Sequence, residues 1–503
     1  MNSKPFLDSL KDLGSAKKIP SLGHRIGGRW IPTQKAMQAI SCVNPSTEEV
    51  ICESLVDRSL ISLAVDKAME CRESLLKVNI SKKFSDLRKW RTSISDHSES
   101  FILAAAYEFG KPRFEMEQDL LQCLNYLDWI AEHEDTLMDD LLRPAKLSPV
   151  KGKYELLPLG IVAAYLPFSH ALSSFVQYFS SAYLASAPLI VFSSAHSMLT
   201  ANMIGIIEEQ MDLCPGALSM IIGNFELFRQ SLSDKRLSVF IYNGSKEHCE
   251  TLGKEARGLG PRHMFLTSGG KNSMIVDESA HLDVAVDCAL KGAFRTTGQL
   301  CSSTSRIFVA SSRLKEFGER LTSEIGRIQA VVSPETSKSM DSGFGMGPLY
   351  SKKSMEKFLR FQTMAQRETR ENYSWGKALS SAKKGFFVTP GLHLLKEFDP
   401  ESAYQSNVLF CPDIAMYEFS KLEVALSQAN ATQAPYALSF CGDPEVFAKV
   451  SHFVSAPNKL VNLPTSDSAS ILPLTGRLEC GDYRYNQAGF IALLSYPSVT
   501  IGG

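Results

Sequence analysis

The sequence predicts an α/β protein of two or three domains, with a doubly wound parallel sheet in its first half. Three observations predict this. The chain has 503 residues, more than a single core fills. Strand-like and helix-like segments alternate through most of its length. Residues Leu156 to Ile207 contain no Asp, Glu, Lys or Arg, the pattern of strands covered on both faces. Pro158, Pro167 and Pro188 break that stretch, and polar residues are spread through it. A membrane span wants about 20 mostly apolar residues without such breaks, so the run reads as buried sheet.

Taken in order, apolar residues recur at helical spacing over Leu60–Leu76, Phe84–Glu108 and Phe114–Glu134. Strand Ile161–Leu166, a helix around Ser173–Ala185 and strand Leu189–Phe192 follow. A helix over Thr200–Met211, the turn Cys214-Pro215-Gly216 and strand Leu218–Ile222 come next. Strand Val239–Tyr242 and helix Glu247–Glu255 complete a βαβαβ rhythm. A second alternating set begins near Met264 and runs to about Leu463. No repeat or long low-complexity linker appears, so closely packed domains are expected.

Composition excludes some functions. With 44% hydrophobic and 21% charged residues, the chain is an ordinary globular protein. A net charge of -1 gives no pull toward nucleic acid or anionic membrane. Met1 to Pro20 holds no apolar run of signal-peptide length. The eleven cysteines are scattered without a C-x-x-C pair, which argues against a disulfide framework or a metal site. Reduced thiols in a cytoplasmic compartment are the expectation.

The motifs bear on chemistry. No G-x-G-x-x-G follows any predicted strand, so an ordinary dinucleotide fingerprint is absent. Gly244-Ser245, directly after a strand, is the one candidate for a tight turn near phosphate, although many strands end this way. Thr267-Ser-Gly-Gly-Lys-Asn272 is a glycine turn leading into strand Ser273–Val276. An amphipathic helix follows, then Gly298-Gln299-Leu300-Cys301, then strand Arg306–Ala310. Cys301 thus stands in a loop between helix and strand, where backbone amides can activate a thiol. A single cysteine so placed is more commonly a buried structural residue.

Gly298-Gln299-x-Cys301 followed by Arg306 resembles the cysteine signature of aldehyde dehydrogenases. Other islands agree and keep the family's order. They are Asn44-Pro45-Ser-Thr-Glu-Glu-Val50, Glu108-Phe-Gly-Lys-Pro112, Pro158-Leu-Gly-Ile-Val162, Gly347-Pro348-Leu349, Gly385-Phe-Phe-Val-Thr-Pro390 and Phe410-x-Pro412. Gly110-Lys-Pro-Arg-Phe114 resembles the succinylglutamate-semialdehyde branch.

The resemblance implies a mechanism. A thiolate attacks an aldehyde, hydride passes to NAD or NADP, and water hydrolyses the thioester. Cys301 matches the nucleophile. The oxyanion-binding asparagine is replaced by Ser169, in Pro167-Phe-Ser-His-Ala171, and losing such a donor costs roughly 2.7–4 kcal/mol. The general-base glutamate is replaced by Thr267, 34 positions before Cys301 as the family's register requires. A missing base typically costs about 10²–10⁴ in rate. His170 is a tempting substitute base, although a histidine in an apolar segment is more often a satisfied core residue. Glu479 or Asp482 could supply a second carboxylate.

The cofactor positions implied by the resemblance are also altered. Phe192 stands for the lysine that reads the adenosine ribose, and Val408, ahead of Phe410, for the glutamate that holds the nicotinamide ribose. Gly244, Ser245 and Gly269 survive, but Cys411 and Cys249 replace glycines. NAD or NADP is the implied cofactor, with its handles eroded.

Three functions follow. One is a family member that keeps the thiol but is inactive or strongly impaired as a dehydrogenase. A second is a divergent NAD(P)-dependent oxidoreductase converting an aldehyde to its acid through a Cys301 thiohemiacetal. The third is a cofactor-free thiol esterase. The implied architecture has a short extension at 1–22 and a nucleotide-binding-type domain at 23–143 and 160–266. A thiol domain spans 267–465, and an oligomerisation arm comprises 144–159 and 478–503. A homodimer or dimer of dimers is expected, since that arm would otherwise expose a sheet edge.

Overall fold

The structure is a computed structural model; it describes residues 4–13, 18–31, 38–139, 145–147, 152–260, 262–333, 335, 345–379, 384–467, 474–481, 484–485 and 491–501. Two seven-stranded sheets organise the chain. In the first, strands His263–Ser268, Leu237–Gly244, Ile161–Leu166, Leu189–Ser193 and Leu218–Ile222 lie side by side, all parallel. The antiparallel hairpin His24–Ile26 and Arg29–Ile31 extends it. Strand order reverses at Ile161–Leu166, whose neighbours are Leu189–Ser193 and Leu237–Gly244. That reversal opens a crevice beyond the strands' carboxyl ends, the usual ligand position in such sheets.

The uncharged run is the middle of this sheet. Leu189–Ser193 and Leu218–Ile222 are buried throughout, because helices cover both faces. On one face Val162, Ala164, Val191 and Met220 pack with residues of helices Ile80–Asp96, Ser98–Phe109, Ala171–Leu184 and Met198–Glu209. On the other, Ile161, Ala163, Phe192 and Tyr242 meet helices Ser59–Lys77, Phe225–Ser231 and Lys246–Arg257. Among the described residues, no helix is long and apolar enough to cross a membrane.

Two readings of the sequence need correction. The helical spacing over Phe84–Glu108 is two helices, Ile80–Asp96 and Ser98–Phe109, broken at His97. There the backbone turns to φ −102°, ψ 17°, and the His97 ring accepts no role in the helix interior but bonds the Ser93 carbonyl at 2.9 Å. The second alternating set starts later than Met264, since His263–Ser268 closes the first sheet by pairing with Leu237–Gly244.

The second sheet orders Thr369–Ser374, Gly391–Leu395, Asp413–Phe419, Thr304–Ala310, Asn272–Val276, Ala437–Cys441 and Asn458–Val461, with only the first strand antiparallel. A third, small sheet joins Ser495–Ile501, Gly152–Pro158 and Ala145–Leu147. Helix Lys4–Lys11 buries Phe6 and Leu10 completely in the first core.

The glycine–proline islands meet where the two large sheets join. Gly110 has φ +77°, and a Cβ there would strike the Pro348 ring and stand 2.9 Å from Pro45 Cγ. Phe386 N–H donates to the Pro45 carbonyl at 2.9 Å, and Leu349 N–H to the Phe386 carbonyl at 3.0 Å. The preceding Glu108 caps the helix Met198–Glu209: its carboxyl accepts from Leu199 N–H at 2.6 Å and from the Thr200 amide and hydroxyl. Burial pushes Glu108 up to about 8 against those donors.

Candidate active site

Cys301 lies in the loop between a short turn, Arg295–Gly298, and strand Thr304–Ala310. The approach is strained: Thr296 and Thr297 both hold left-handed backbone, at φ 52° and 57°. For a β-branched residue each such position costs of order 1–3 kcal/mol. Side chains hold it in place. Glu115 accepts from the Thr296 N–H at 2.9 Å and from its hydroxyl at 2.9 Å. The Thr297 hydroxyl donates to the Gly347 carbonyl at 2.9 Å, and Gln299 bridges Thr296 O and Tyr350 N–H.

Downstream, Cys301 O accepts from Gly270 N–H at 3.0 Å and from the Asn272 side-chain amide at 2.9 Å. The same amide nitrogen reaches Ser303 O at 3.0 Å, and Asn272 Oδ1 accepts from Ala437 N–H at 2.9 Å. Buried Arg306 donates to the Lys271 and Ala429 carbonyls, each at 3.0 Å. The glycine turn and the thiol loop are thus tied together by backbone carbonyls. The thiol itself is half-buried beside Tyr436, Cys480 and Val408. Burial pushes it up, although hydrogen bonds from Tyr436 and from the amides of Cys301 and Ser302 pull the other way.

A cavity of about 160 Å³ opens at Cys301, and Glu115, Asp119, His170, Asn243 and Tyr436 share its wall. Ser169 and Thr267 are not part of that wall. Ser169 is buried, and its hydroxyl is hydrogen-bonded to His170 Nδ1 at 2.7 Å. Its carbonyl accepts from Lys111 Nζ at 3.1 Å, and Lys111 is ion-paired with Asp119. Burial and the Lys111 charge push His170 down to about 4, so its ring is neutral at pH 7. Thr267 is buried one strand away from the cavity, in register with Asn243. Glu479 forms an ion pair with Lys246 at 2.6 Å, and Asp482 lies outside the described residues.

The sequence reading passed over Glu115, Lys111, Asp119, Asn243 and Tyr436. The signals were thin. Glu115 sits in the first turn of an amphipathic helix, where an acid suits the helix end without any other purpose. Asn243 was visible only as the neighbour of Gly244.

At the sheet reversal the core beneath the crevice is filled by aromatic rings. Phe192, Tyr165 and Tyr242 stand in register on three adjacent strands. Phe228 covers all three, with centroid distances of 5.3, 5.5 and 6.0 Å. Phe192 has no exposed surface. The Tyr242 hydroxyl lies where a Cβ on Gly244 would stand and hydrogen-bonds His248 Nδ1 at 2.7 Å. His248 in turn stacks on Phe225 at 3.6 Å. Ser245 caps its own helix by accepting from His248 N–H at 3.3 Å, and half-buried Cys249 follows on that helix.

The sequence profile described as the Aldehyde dehydrogenase family matches residues 30–492. The chain belongs to that family. A malonate-semialdehyde dehydrogenase of Geobacillus thermodenitrificans is 23% identical over 459 residues, covering 91% of this chain and 93% of the relative. A crystal structure of an aldehyde dehydrogenase from Brucella melitensis biovar abortus superposes with a TM-score of 0.85 at 22% identity, over 95% of this chain and 96% of the other. The structure of a 3,6-anhydro-L-galactose dehydrogenase in complex with NAP has a TM-score of 0.85 at 18% identity, over 96% and 100% of the two chains.

The crevice can be tested against the nucleotide that this aldehyde dehydrogenase fold implies. Phe192 faces inward onto Phe228 and offers no polar atom. Val408 packs toward Gly269, with a methyl 3.3 Å from where a Cβ there would lie. Phe410 has φ +59° and meets Phe168 edge-on at 6.1 Å, and Phe168 stacks on Tyr350 at 4.2 Å. A Cβ on Gly244 would strike the Tyr242 hydroxyl. Neither Phe192 nor Val408 carries a side-chain hydrogen-bonding atom.

Proposed function

We propose that this aldehyde dehydrogenase-family protein keeps a thiol-bearing ligand cavity and has lost, or strongly weakened, nucleotide-dependent oxidation. One observation carries the reading: the Tyr242 hydroxyl, anchored by His248, lies against the side-chain side of Gly244. A backbone that must lie against pyrophosphate needs room at such a glycine. Phe192 and Val408 add to this, because neither can bond a ribose hydroxyl.

The residues around Cys301 support the same reading. Ser169, at the oxyanion position, spends its hydroxyl on His170. Thr267, at the general-base position, cannot take a proton from water near neutral pH. With the thiol pushed up by burial, and His170 too weak a base to hold a proton beside it, the pair is not a thiolate–imidazolium couple. This disfavours fast esterase chemistry as well.

Calorimetric titration with NAD+ and NADP+ tests the proposal. No heat of binding is expected for either nucleotide up to the millimolar range. Binding tighter than that, followed by reduction of the nucleotide with an aldehyde, would replace it with the divergent oxidoreductase.

The assembly belongs to the same proposal. Strand Ser495–Ile501 forms the edge of the small sheet and exposes Tyr496 and Val499. An open edge with apolar side chains favours pairing with a second copy, so a homodimer or dimer of dimers is the proposed state. Sedimentation equilibrium at the mass of a single chain would remove it. Free thiols at all eleven cysteines suit a reducing, cytoplasmic compartment.

A further inference from the structure

At the amino ends of the first sheet's strands, opposite the crevice, helix Ala171–Leu184 closes in a turn of two crossed hydrogen bonds. Ala187 N–H donates to the Ala182 carbonyl at 2.8 Å, and Ser186 N–H to the Tyr183 carbonyl at 3.1 Å. That pattern puts one residue in left-handed backbone and usually holds glycine there. This chain carries Ser186 instead, at φ 60°. The turn makes no use of a side chain, and the Ser186 hydroxyl is engaged elsewhere.

Helix Ile80–Asp96 supplies its partner. Lys83, 2% exposed, hydrogen-bonds the Ser186 hydroxyl through Nζ, and the Tyr183 ring centroid lies 5.6 Å from that nitrogen. Among the described residues no carboxylate pairs with Lys83. The ionisable groups nearby are matched to one another. Asp86 accepts from the Tyr183 hydroxyl at 2.8 Å and pairs with Lys82 at 2.9 Å and Lys89 at 3.5 Å. Asp212 pairs with Lys82 at 3.5 Å, and Cys214 Sγ points to the Cys71 carbonyl. Burial without a counter-ion pushes Lys83 down to about 8. An ammonium only donates to a hydroxyl, whereas the free amine takes its proton. A free lysine beside a serine is the base of the serine–lysine form of nucleophilic catalysis. Ser186 is half-buried and keeps exposed surface.

We infer that Ser186 and Lys83 form a nucleophilic pair, an acyl-accepting site for small activated esters that is separate from the Cys301 cavity. In the step, Ser186 Oγ bonds to the acyl carbon and its proton passes to Lys83 Nζ. The bond to the leaving oxygen breaks, and that oxygen departs with the bonding pair. No oxidant or reductant takes part. The amides of Ser186 and Ala187 are bonded to carbonyls, so this turn offers no pair of N–H groups to an oxyanion. The site accepts an acyl group once rather than turning over fast.

A serine-directed phosphonofluoridate tests this on the full-length protein, with modification of Ser186 followed by peptide mass spectrometry. Oγ bonds to phosphorus, the P–F bond breaks and fluoride leaves. Ser186 is expected to be labelled at a rate that rises with pH through about 8 and then levels off, as the amine becomes fully free. Lys83→Met should slow labelling by about 10²-fold, the worth of a positioned base. Lys83→Arg, which keeps a cation that cannot lose its proton, should not restore it. No label at Ser186 overturns the inference. So does a rate that climbs with hydroxide without levelling, or one unchanged in both variants. Where neither variant folds, the pH profile of the unaltered protein decides, because a purely structural hydrogen bond gives no plateau.

Discussion

The junction around Gly110 and the crevice around Gly244 contain retained glycines of the same kind, yet the two are used in opposite ways. At Gly110 the missing side chain admits Pro45 and Pro348, and two halves of the molecule close on each other. At Gly244 the missing side chain admits the protein's own Tyr242 hydroxyl. The first glycine serves packing between sheets. The second leaves a space that this chain fills from within. A retained glycine therefore says that something approaches the backbone, and only the neighbouring side chains say what.

Three substitutions would break or sharpen this contrast. Tyr242→Ala removes a buried ring and should cost about 3–5 kcal/mol of stability, measured by urea denaturation. It should also reopen the crevice, so that nucleotide binding becomes detectable at a Kd of ~1 mM. Stability lost with no gain in binding would mean that Tyr242 is not the barrier.

Gly110→Ala should cost about 2–4 kcal/mol, from left-handed backbone and overpacking against the two prolines, with no gain in nucleotide binding. A change below about 0.5 kcal/mol, the range of an ordinary surface substitution, would show that the junction yields easily.

The carboxyl beside the junction is read as a slope with pH. Burial raises Glu108 to about 8, so the folded chain keeps a proton that the unfolded chain loses above about 4.3. The stability this contributes is complete below the unfolded value and is lost as pH rises toward about 8, by at most about 1.4 kcal/mol per pH unit. Glu108→Gln should flatten the decline of the urea midpoint across that window. An unchanged slope would place the titration elsewhere.

Much of the first sheet could be read from the sequence because burial on both faces leaves strands such as Ile161–Leu166 and Leu218–Ile222 without charge. The Cys301 loop was equally legible, bounded by a periodic helix and an apolar strand. Contacts made across elements were not. Phe192, Tyr165, Tyr242 and Phe228 lie up to 77 positions apart in the sequence, and parallel register brings three of them into one row. Nothing local in each segment marks it as part of that row. Glu115 was hidden differently: an acid on an amphipathic helix looks solvated until the thiol loop closes over it. The break at His97 escaped because its flanks, Ile94 and Phe101, keep helical spacing across it.

The side-chain amide of Asn272 links three segments: the glycine turn, the thiol loop through the carbonyls of Cys301 and Ser303, and the strand at Ala437. Because these tethers end on main-chain atoms, the address of the thiol is written in the backbone. Substitutions at Ser169, Thr267, Phe192 and Val408 could accumulate without shifting it. The location of the reactive atom and the side chains around it are, in this architecture, independently heritable traits.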